Sequence, residues 1–310
     1  MSVVVRGQAL TKRFAAQLAV AGLDLTVDQG ECFGLLGPNG AGKTTTLRMV
    51  YGVNQPTSGR IQVFGLDVAT HGRAVRSRLG VTLQENVLID ALSAVDNLRV
   101  FGRFHLIPEA ELTCRIERLA ERFELGSHAQ LPSIALSGGF KRRLAIAMSL
   151  INEPELLILD EPTTGLDPAV RLSLWNQVRE LRSEGKTVLL TTHYMDEAER
   201  LCDRVMIMSA GKAVCEGPPR QLVESHLARE VLEFDCSEAE ERALLAAVGP
   251  HKTLRSGVRL FVFAAEAAPL VVQLRKLDGG DKRPFVARPA NLEELFLATT
   301  GTKMDAEVVQ

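Results

Sequence analysis

The sequence predicts an α/β domain on a largely parallel sheet, followed by a smaller α+β domain, and three observations carry that reading. Apolar runs with β-branched residues alternate with helical patterns up to about residue 215. Two of them, LLILD (156–160) and TVLLTTH (187–193), are short and continuous, the texture of strands buried on both faces. Finally, GPNGAGKT (Gly37 to Thr44) stands between a predicted strand and a predicted helix, the setting of a phosphate-wrapping loop.

Taken in order, VVVRGQALTKRF and LDLTVDQGECFGLLG read as strands and KTTTLRMVYGV as a helix. GRIQVFGLDV and LGVTLQ are short strands, and ELTCRIERLAERFEL has helical periodicity. LSLWNQVRELRSEG, between the two buried runs, is an amphipathic helix that Gly185 ends. Near residue 216 the texture changes, and EGPPRQL is a Gly/Pro break. Beyond it REVLEFDC, KTLRSG, VRLFVFAA and PFVARP read as strands, with EAEERALLAAVG and APLVVQLRKLDG as helices. The order βαββαβ is the split, ferredoxin-like arrangement. A last helix begins at Asn291, with Glu294 completing a capping box, and MDAEVVQ is expected to be a loose tail. The division predicted is 1–219, with a helical subdomain at about 85–150, then 220–300 and a tail at 301–310.

Composition narrows the function classes. The 310 residues are 46% hydrophobic and 24% charged, ordinary values for a globular chain, and a net charge of −2 gives no reason to expect a nucleic acid partner. The basic run Lys141-Arg142-Arg143 reads as a solvated face. Five scattered cysteines with no C-x-x-C pair point to reduced thiols rather than a disulfide framework or zinc site. No signal peptide is expected at the N-terminus, and no segment reaches the roughly 18 apolar residues of a membrane span. Work at a membrane would need a separate anchor.

The chemistry concentrates at the ends of the predicted strands. In the Gly37–Thr44 loop, backbone N–H groups and a helix N-terminus suit phosphate; Lys43 can reach the β- and γ-phosphates, and the Thr44 hydroxyl can ligate Mg²⁺. LLILDEP ends a buried strand with Asp160, a candidate Mg²⁺ ligand, and Glu161, placed to act as a base on water. His193, at the tip of TVLLTTH, could contact a γ-phosphate or be a surface histidine.

In order, GPNGAGKTT, Gln84 in VTLQEN, LSGG, LLILDEP, GLDP and His193 resemble the motif set of ABC-type ATPases, a P-loop NTPase fold, over roughly residues 10–215. LSGGFKRRLAIAMSLINEPELLILDEPTTGLDP, TTHYMDEAERLCDRVMIM and the C-terminal RPANLEELFLATTG are similar to the branch that serves drug-resistance and nodulation-factor exporters. The resemblance implies a central, mostly parallel sheet, an antiparallel β subdomain and a helical subdomain. It implies ATP and Mg²⁺ as cofactors, with the nucleotide held by Phe14, Gly37, Pro38, Asn39, Gly40, Ala41, Gly42, Lys43, Thr44 and Thr45. Phe14 would stack on adenine, core packing being the alternative. Gln84 would sense Mg²⁺ and the γ-phosphate beside the ligands Thr44 and Asp160, and Glu161, His193 and Gln84 would be catalytic. Ser137, Gly138 and Gly139 would act in trans on ATP held by a second subunit, and Asp167 would couple the two sites of the homodimer. A separately encoded integral membrane permease is the implied partner, which puts the chain peripherally on the cytoplasmic face of the membrane.

LSGGFKRR departs from the family pattern at Phe140, where relatives usually carry a polar residue. Only the Ser137 hydroxyl and backbone N–H groups would grip phosphate there, so a competent site is expected, with Phe140 packed on the helical subdomain. The cost of basic residues at this helix N-terminus would be relieved by a docked anion. The expected function is the ATP-hydrolysing subunit of an exporter. The alternatives are a regulatory ATP binder with weak hydrolysis, which Phe140 alone favours, and a non-transport relative acting on ribosomes or DNA.

Overall fold

The computed structural model describes residues 2–277 and 284–301. The predicted tail lies outside the described residues, apart from Gly301. The chain divides into two compact units, Met1–Cys215 and Glu216–Gln310.

The first unit begins with a pair of twelve-residue antiparallel strands, β1 (Val3–Phe14) and β2 (Gln17–Asp28). After a turn at Gln29–Glu31 the chain enters β3 (Cys32–Leu36), buried at every position, and then α1 (Lys43–Val50). GRIQVFGLDV is not one strand. It forms a hairpin of β4 (Ser58–Val63) and β5 (Leu66–Asp67), because Phe64 and Gly65 both take left-handed backbone angles, φ 54° and 74°. These strands form an antiparallel sheet in the order β2-β1-β4-β5. The Asp67 side chain then caps α2 (Val68–Arg76), a helix the apolar pattern does not announce.

The second sheet follows with β6 (Leu79–Thr82). Three helices come next: α3 (Ala94–Phe104), α4 (Glu109–Arg122) and α5 (Gly138–Ser149), with α3 packed on both of the others. The chain returns through β7 (Leu156–Asp160), α6 (Pro168–Ser183), β8 (Thr187–Thr192), α7 (Met195–Leu201), β9 (Arg204–Ser209) and β10 (Lys212–Gly217). The order is β10-β9-β3-β8-β7-β6, and every pair from β9 to β6 is parallel. Leu156, Leu157, Ile158 and Leu159 are at most 1% exposed, so each stabilises the sheet by roughly 2 kcal/mol through apolar burial. The continuous apolar run is thus the mark of a strand covered on both faces.

In the second unit the Gly/Pro break opens a helix, α8 (Pro219–His226), since proline is tolerated in a first helical turn. Four strands follow, β11 (Glu230–Asp235), β12 (Lys252–Ser256), β13 (Arg259–Ala264) and β14 (Val286–Pro289). The helices are α9 (Glu238–Val248), α10 (Ala268–Leu277) and α11 (Leu292–Thr300). The sheet order is β12-β13-β11-β14, antiparallel throughout, so the first and third strands of the βαββαβ run lie at the centre. Alternation decides the faces. Leu232, Phe234, Leu260 and Val262 pack on Leu244, Val248, Leu270 and Leu274 of α9 and α10, while Val231, Phe261 and Phe263 face the other side. Asn291 and Glu294 form the expected capping box, and Ser237 with Glu240 forms a second on α9.

One buried side chain organises the segment leading into the three-helix group. Asn97 on α3 is wholly buried; its amide donates to the carbonyls of Ile89, Leu92 and Ser93 and to Ser133 Oγ, and its Oδ1 accepts from Ile89 N–H. Truncation strands several buried partners at once. Asn97→Ala should therefore cost about 3 kcal/mol, read as a lowered denaturation midpoint in urea; a loss under about 0.5 kcal/mol would show that water replaces the amide.

Candidate nucleotide-binding site

Four parallel strands deliver the predicted groups to one edge. β3, β8, β7 and β6 are consecutive neighbours, and their C-terminal ends lead into Gly37, His193, Glu161 and Gln84 respectively. Register holds these ends level, with Leu36 opposite Thr192, Asp160 opposite Thr191 and Thr82 opposite Leu159. Open α/β sheets bind ligands at such an edge.

The Gly37–Gly42 loop needs its glycines. Gly42 has φ 101°, and a Cβ there would stand 2.5 Å from the Ala19 carbonyl oxygen; a Cβ on Gly37 would stand 2.3 Å from that of Met208. The loop borders a cavity of about 290 Å³ lined by Phe14, Gln17, Ala19, Asn39–Thr45, Gln84 and Glu161. Phe14 is 44% exposed, with the Lys12 ammonium 4.9 Å from its ring centroid, so it is not a core residue. Lys43 is buried and donates to the carbonyls of Gly37 at 2.8 Å and Pro38 at 3.2 Å.

Glu161 is the hub of the site. Its carboxylate accepts from Gln84 Nε2 and Thr164 Oγ1, each at 3.3 Å, and lies 3.5 Å from Lys43 Nζ. His193 Nδ1 stands 3.3 Å from a Glu161 carboxylate oxygen. The His193 contact holds the carboxyl below the usual glutamate range; burial opposes this and the Lys43 charge assists it. Burial in turn pushes the Lys43 ammonium down, with Glu161 the main opposing charge. Glu161 also takes a left-handed backbone, φ 45°, a conformation that costs a side-chain-bearing residue about 1 kcal/mol or more.

Asp160 accepts from Thr44 Oγ1 at 3.1 Å and Thr191 Oγ1 at 2.5 Å. A carboxylate beside a hydroxyl, both oxygen donors, fits a hard divalent cation that completes its shell with water and phosphate oxygens. Among the described residues no cluster of three His, Cys, Asp or Glu side chains could hold a metal unaided.

The LSGG segment is elsewhere on the unit. Ser137 caps α5, its Oγ accepting from Phe140 N–H at 3.3 Å, and Ser137 and Gly138 are exposed. None of Ser137, Gly138 and Gly139 lines the cavity at the Gly37–Thr45 loop. Asp167 is exposed and caps α6 by accepting from Ala169 and Val170 N–H. Phe140 points inward. It is 5% exposed, edge-on to His128 with centroids 5.4 Å apart, and the Arg143 guanidinium lies 5.5 Å from its ring.

The basic run is not a solvated face. Arg143 pairs with Glu124 at 2.8 Å, and Arg142 is buried at 4% exposure, bonded to backbone carbonyls on both the Gln84 and Glu161 segments. Burial lowers the Arg142 guanidinium to about 10, against the opposing charges of Asp160, Glu197 and Glu161. Sequence reading passed over it because three consecutive basic residues usually mark a surface. The available signal was helical spacing: Arg142 stands four residues before the buried Ile146, on the same face of a helix buried for most of its length. A second buried acid also escaped notice. Glu197 accepts from Thr163 Oγ1 and Trp175 Nε1, each at 2.9 Å, tying α7 to the segment after Glu161. Burial pushes its carboxyl upward.

Comparison with known proteins agrees with this geometry. Residues 20–164 match the family described as ABC transporter. The chain is 42% identical over 300 residues to the Nod factor export ATP-binding protein I of Ralstonia nicotianae, covering 96% of this chain and 94% of the relative. Among solved structures, an ATP-binding subunit of an ABC transporter aligns with TM-score 0.66 and 29% identity, covering 72% of this chain and 92% of that one. A dimeric ATP-binding cassette in a post-hydrolysis state, bound to ADP and Pi, aligns with TM-score 0.64 and 25% identity, over 69% of this chain and 98% of that one. With a phosphate loop, two acids, a glutamine and a histidine brought together at one sheet edge, the chain belongs to the ABC transporter family as an ATP-binding ATPase subunit.

Proposed function

We propose that this protein powers an exporter: two copies close over two Mg-ATP molecules, and their opening and closing drives a separately encoded membrane permease. The observation that carries this reading is the division of the site. Lys43, Thr44, Gln84, Asp160, Glu161 and His193 share one sheet edge, while the exposed N-terminus of α5 lies outside the cavity that Lys43, Thr44, Gln84 and Glu161 line. Free N–H groups at a helix start favour an anion, so Ser137, Gly138 and Gly139 are suited to a γ-phosphate held by a second copy. The similarity to a dimeric cassette and to a Nod factor exporter subunit supports the same arrangement.

The geometry supports the following residue roles. Phe14 offers an exposed ring beside the loop for the adenine base. Lys43, now held by Gly37 O and Glu161, exchanges those partners for the β- and γ-phosphates. Thr44, Asp160 and Gln84 would hold Mg²⁺, which would supply charge neutralisation on the phosphates. Glu161, kept ionised by its neighbours, accepts a proton from the attacking water, and His193 orients that water against the γ-phosphate. Asp167 at the start of α6 is exposed for contact with the second copy. Residues 1–219 form the ATPase domain and 220–300 an accessory domain.

No helix among the described residues is long and apolar enough to cross a membrane, so the anchor in this reading is the permease. Its docking site is a cavity of about 370 Å³ beside the Gln84 segment, lined by Leu83, Val87, Phe101, His105 and Met148 among others. Val87 at its mouth is 60% exposed, the pattern of a groove that takes an amphipathic helix.

Three outcomes are expected. Glu161→Gln should lower ATP turnover by at least about a hundredfold, retain ATP binding and accumulate an ATP-dependent dimer on size-exclusion chromatography; parental turnover in this variant would remove Glu161 as the base. Phe140→Gln should change turnover less than about tenfold, roughly 1.4 kcal/mol in barrier, because the ring packs inward and leaves the phosphate-facing N–H groups in place. A much larger gain would mean that Phe140 cripples the natural site. Val87→Glu should leave ATPase activity of the isolated chain within about twofold, under 0.5 kcal/mol, yet abolish co-purification with the permease; retained co-purification would place the docking site elsewhere.

A further inference from the structure

Arg142 does not line the cavity at the Gly37–Thr45 loop, yet it contacts two residues, Gln84 and Glu161, that do. Its three guanidinium nitrogens between them donate to two separate segments of the site. Nε donates to Pro162 O at 2.7 Å, and Nη2 to Asp160 O at 2.8 Å and Glu161 O at 2.9 Å. Nη1 donates to Leu83 O at 2.6 Å, Gln84 O at 3.2 Å and Asn86 Oδ1 at 3.3 Å. Among the described residues no carboxylate pairs with it directly; the buried cation is held mainly by the negative ends of backbone dipoles, with Asn86 Oδ1 beside them. A planar fork with five N–H groups can span two loops in this way, and an ammonium on a flexible stem cannot.

The place of these contacts is informative. Glu161 holds its strained backbone between two restraints: its N–H donates to Thr191 O at 3.1 Å and Thr191 Oγ1 at 3.0 Å, and its carbonyl accepts from Arg142. Gln84, whose amide reaches the Glu161 carboxylate, is fixed at its own carbonyl by the same guanidinium. Arg142 itself stands one turn inside α5, the helix whose N-terminus bears Ser137, Gly138 and Gly139.

We propose that Arg142 is a positioning residue for hydrolysis, locking the Gln84 and Glu161 segments to α5 so that movement of this helix resets both groups together. The role rests on the assignment of Glu161 as the base. Asn86 and Glu197 add polar contacts nearby but do not bridge both segments.

The test uses the full chain with Arg142→Lys, which keeps the charge and loses the fork, and Glu161→Gln measured alongside. Arg142→Lys should lower kcat by about tenfold or more, with KM for Mg-ATP changed less than about threefold, a split expected when positioning rather than binding is lost. Hydrogen–deuterium exchange of its amides should rise in 83–86 and 160–163 and stay at the parental level in 37–45. Parental turnover in Arg142→Lys with a silent Glu161→Gln overturns the role of Arg142 alone. Parental turnover in Glu161→Gln overturns the assignment of the base, whatever Arg142→Lys does. Where Arg142→Lys is globally loosened, with exchange rising evenly across the cassette, or where exchange rises in neither segment, the residue is structural only and the proposal fails.

Discussion

The register of four neighbouring parallel strands is the constraint on which the rest of this protein depends. Because β3, β8, β7 and β6 end at the same level, loops far apart in sequence open onto one small volume. A parallel strand must be regained by a crossover, so the helices between these strands cover the sheet faces and keep them dry. Sheet burial and site assembly are therefore one requirement. A strand slipped by one residue would turn Asp160 or Thr191 to the opposite face and break the hydroxyl–carboxylate pairing at the edge.

Within that edge, two buried side chains of opposite charge face one another. Lys43 and Glu161 are both buried, and each stabilises the ionised form of the other. A buried pair of this kind is poor evidence for fold stability, since its desolvation offsets much of the attraction. It accords with the proposed function, in which phosphate oxygens would replace Glu161 as the partner of Lys43. The left-handed backbone of Glu161 points the same way: strain at a functional residue persists only where neighbours on both sides impose it. Here those neighbours are Thr191 and Arg142.

Local patterns were readable where the local environment is uniform. LLILD and TVLLTT are apolar throughout because every residue is covered, and the glycines of 37–42 mark a loop because no side chain fits their backbone. Reading failed where a residue's neighbours come from remote segments. The hairpin within GRIQVFGLDV depends on left-handed angles at Phe64 and Gly65, the first of which is not a turn-forming residue. Pro219 reads as a break and instead opens a helix, because a first turn has no need of its N–H. Lys141-Arg142-Arg143 reads as a wet surface, yet the middle residue is buried among carbonyls contributed by residues up to 59 positions away. Phe140 was the converse case, where an expectation of inward packing agrees with its contact to His128.

The sequence by itself determined the fold class, the phosphate loop and the inventory of reactive groups, because hydrophobic periodicity, glycine placement and short motif spacing are local properties of the chain. It also carried the family, through several motifs in a given order. Only the tertiary structure decided that Glu161 gathers Lys43, Gln84, Thr164 and His193 around one carboxylate. It alone took Arg142 from the surface into the junction of two loops, and left the N-terminus of α5 outside the cavity at the Gly37–Thr45 loop. The physical reason is the same in each case. Burial and hydrogen-bond partners are set by which strand ends and helix faces meet across the sheet, and no local window of the chain contains both sides of such a contact.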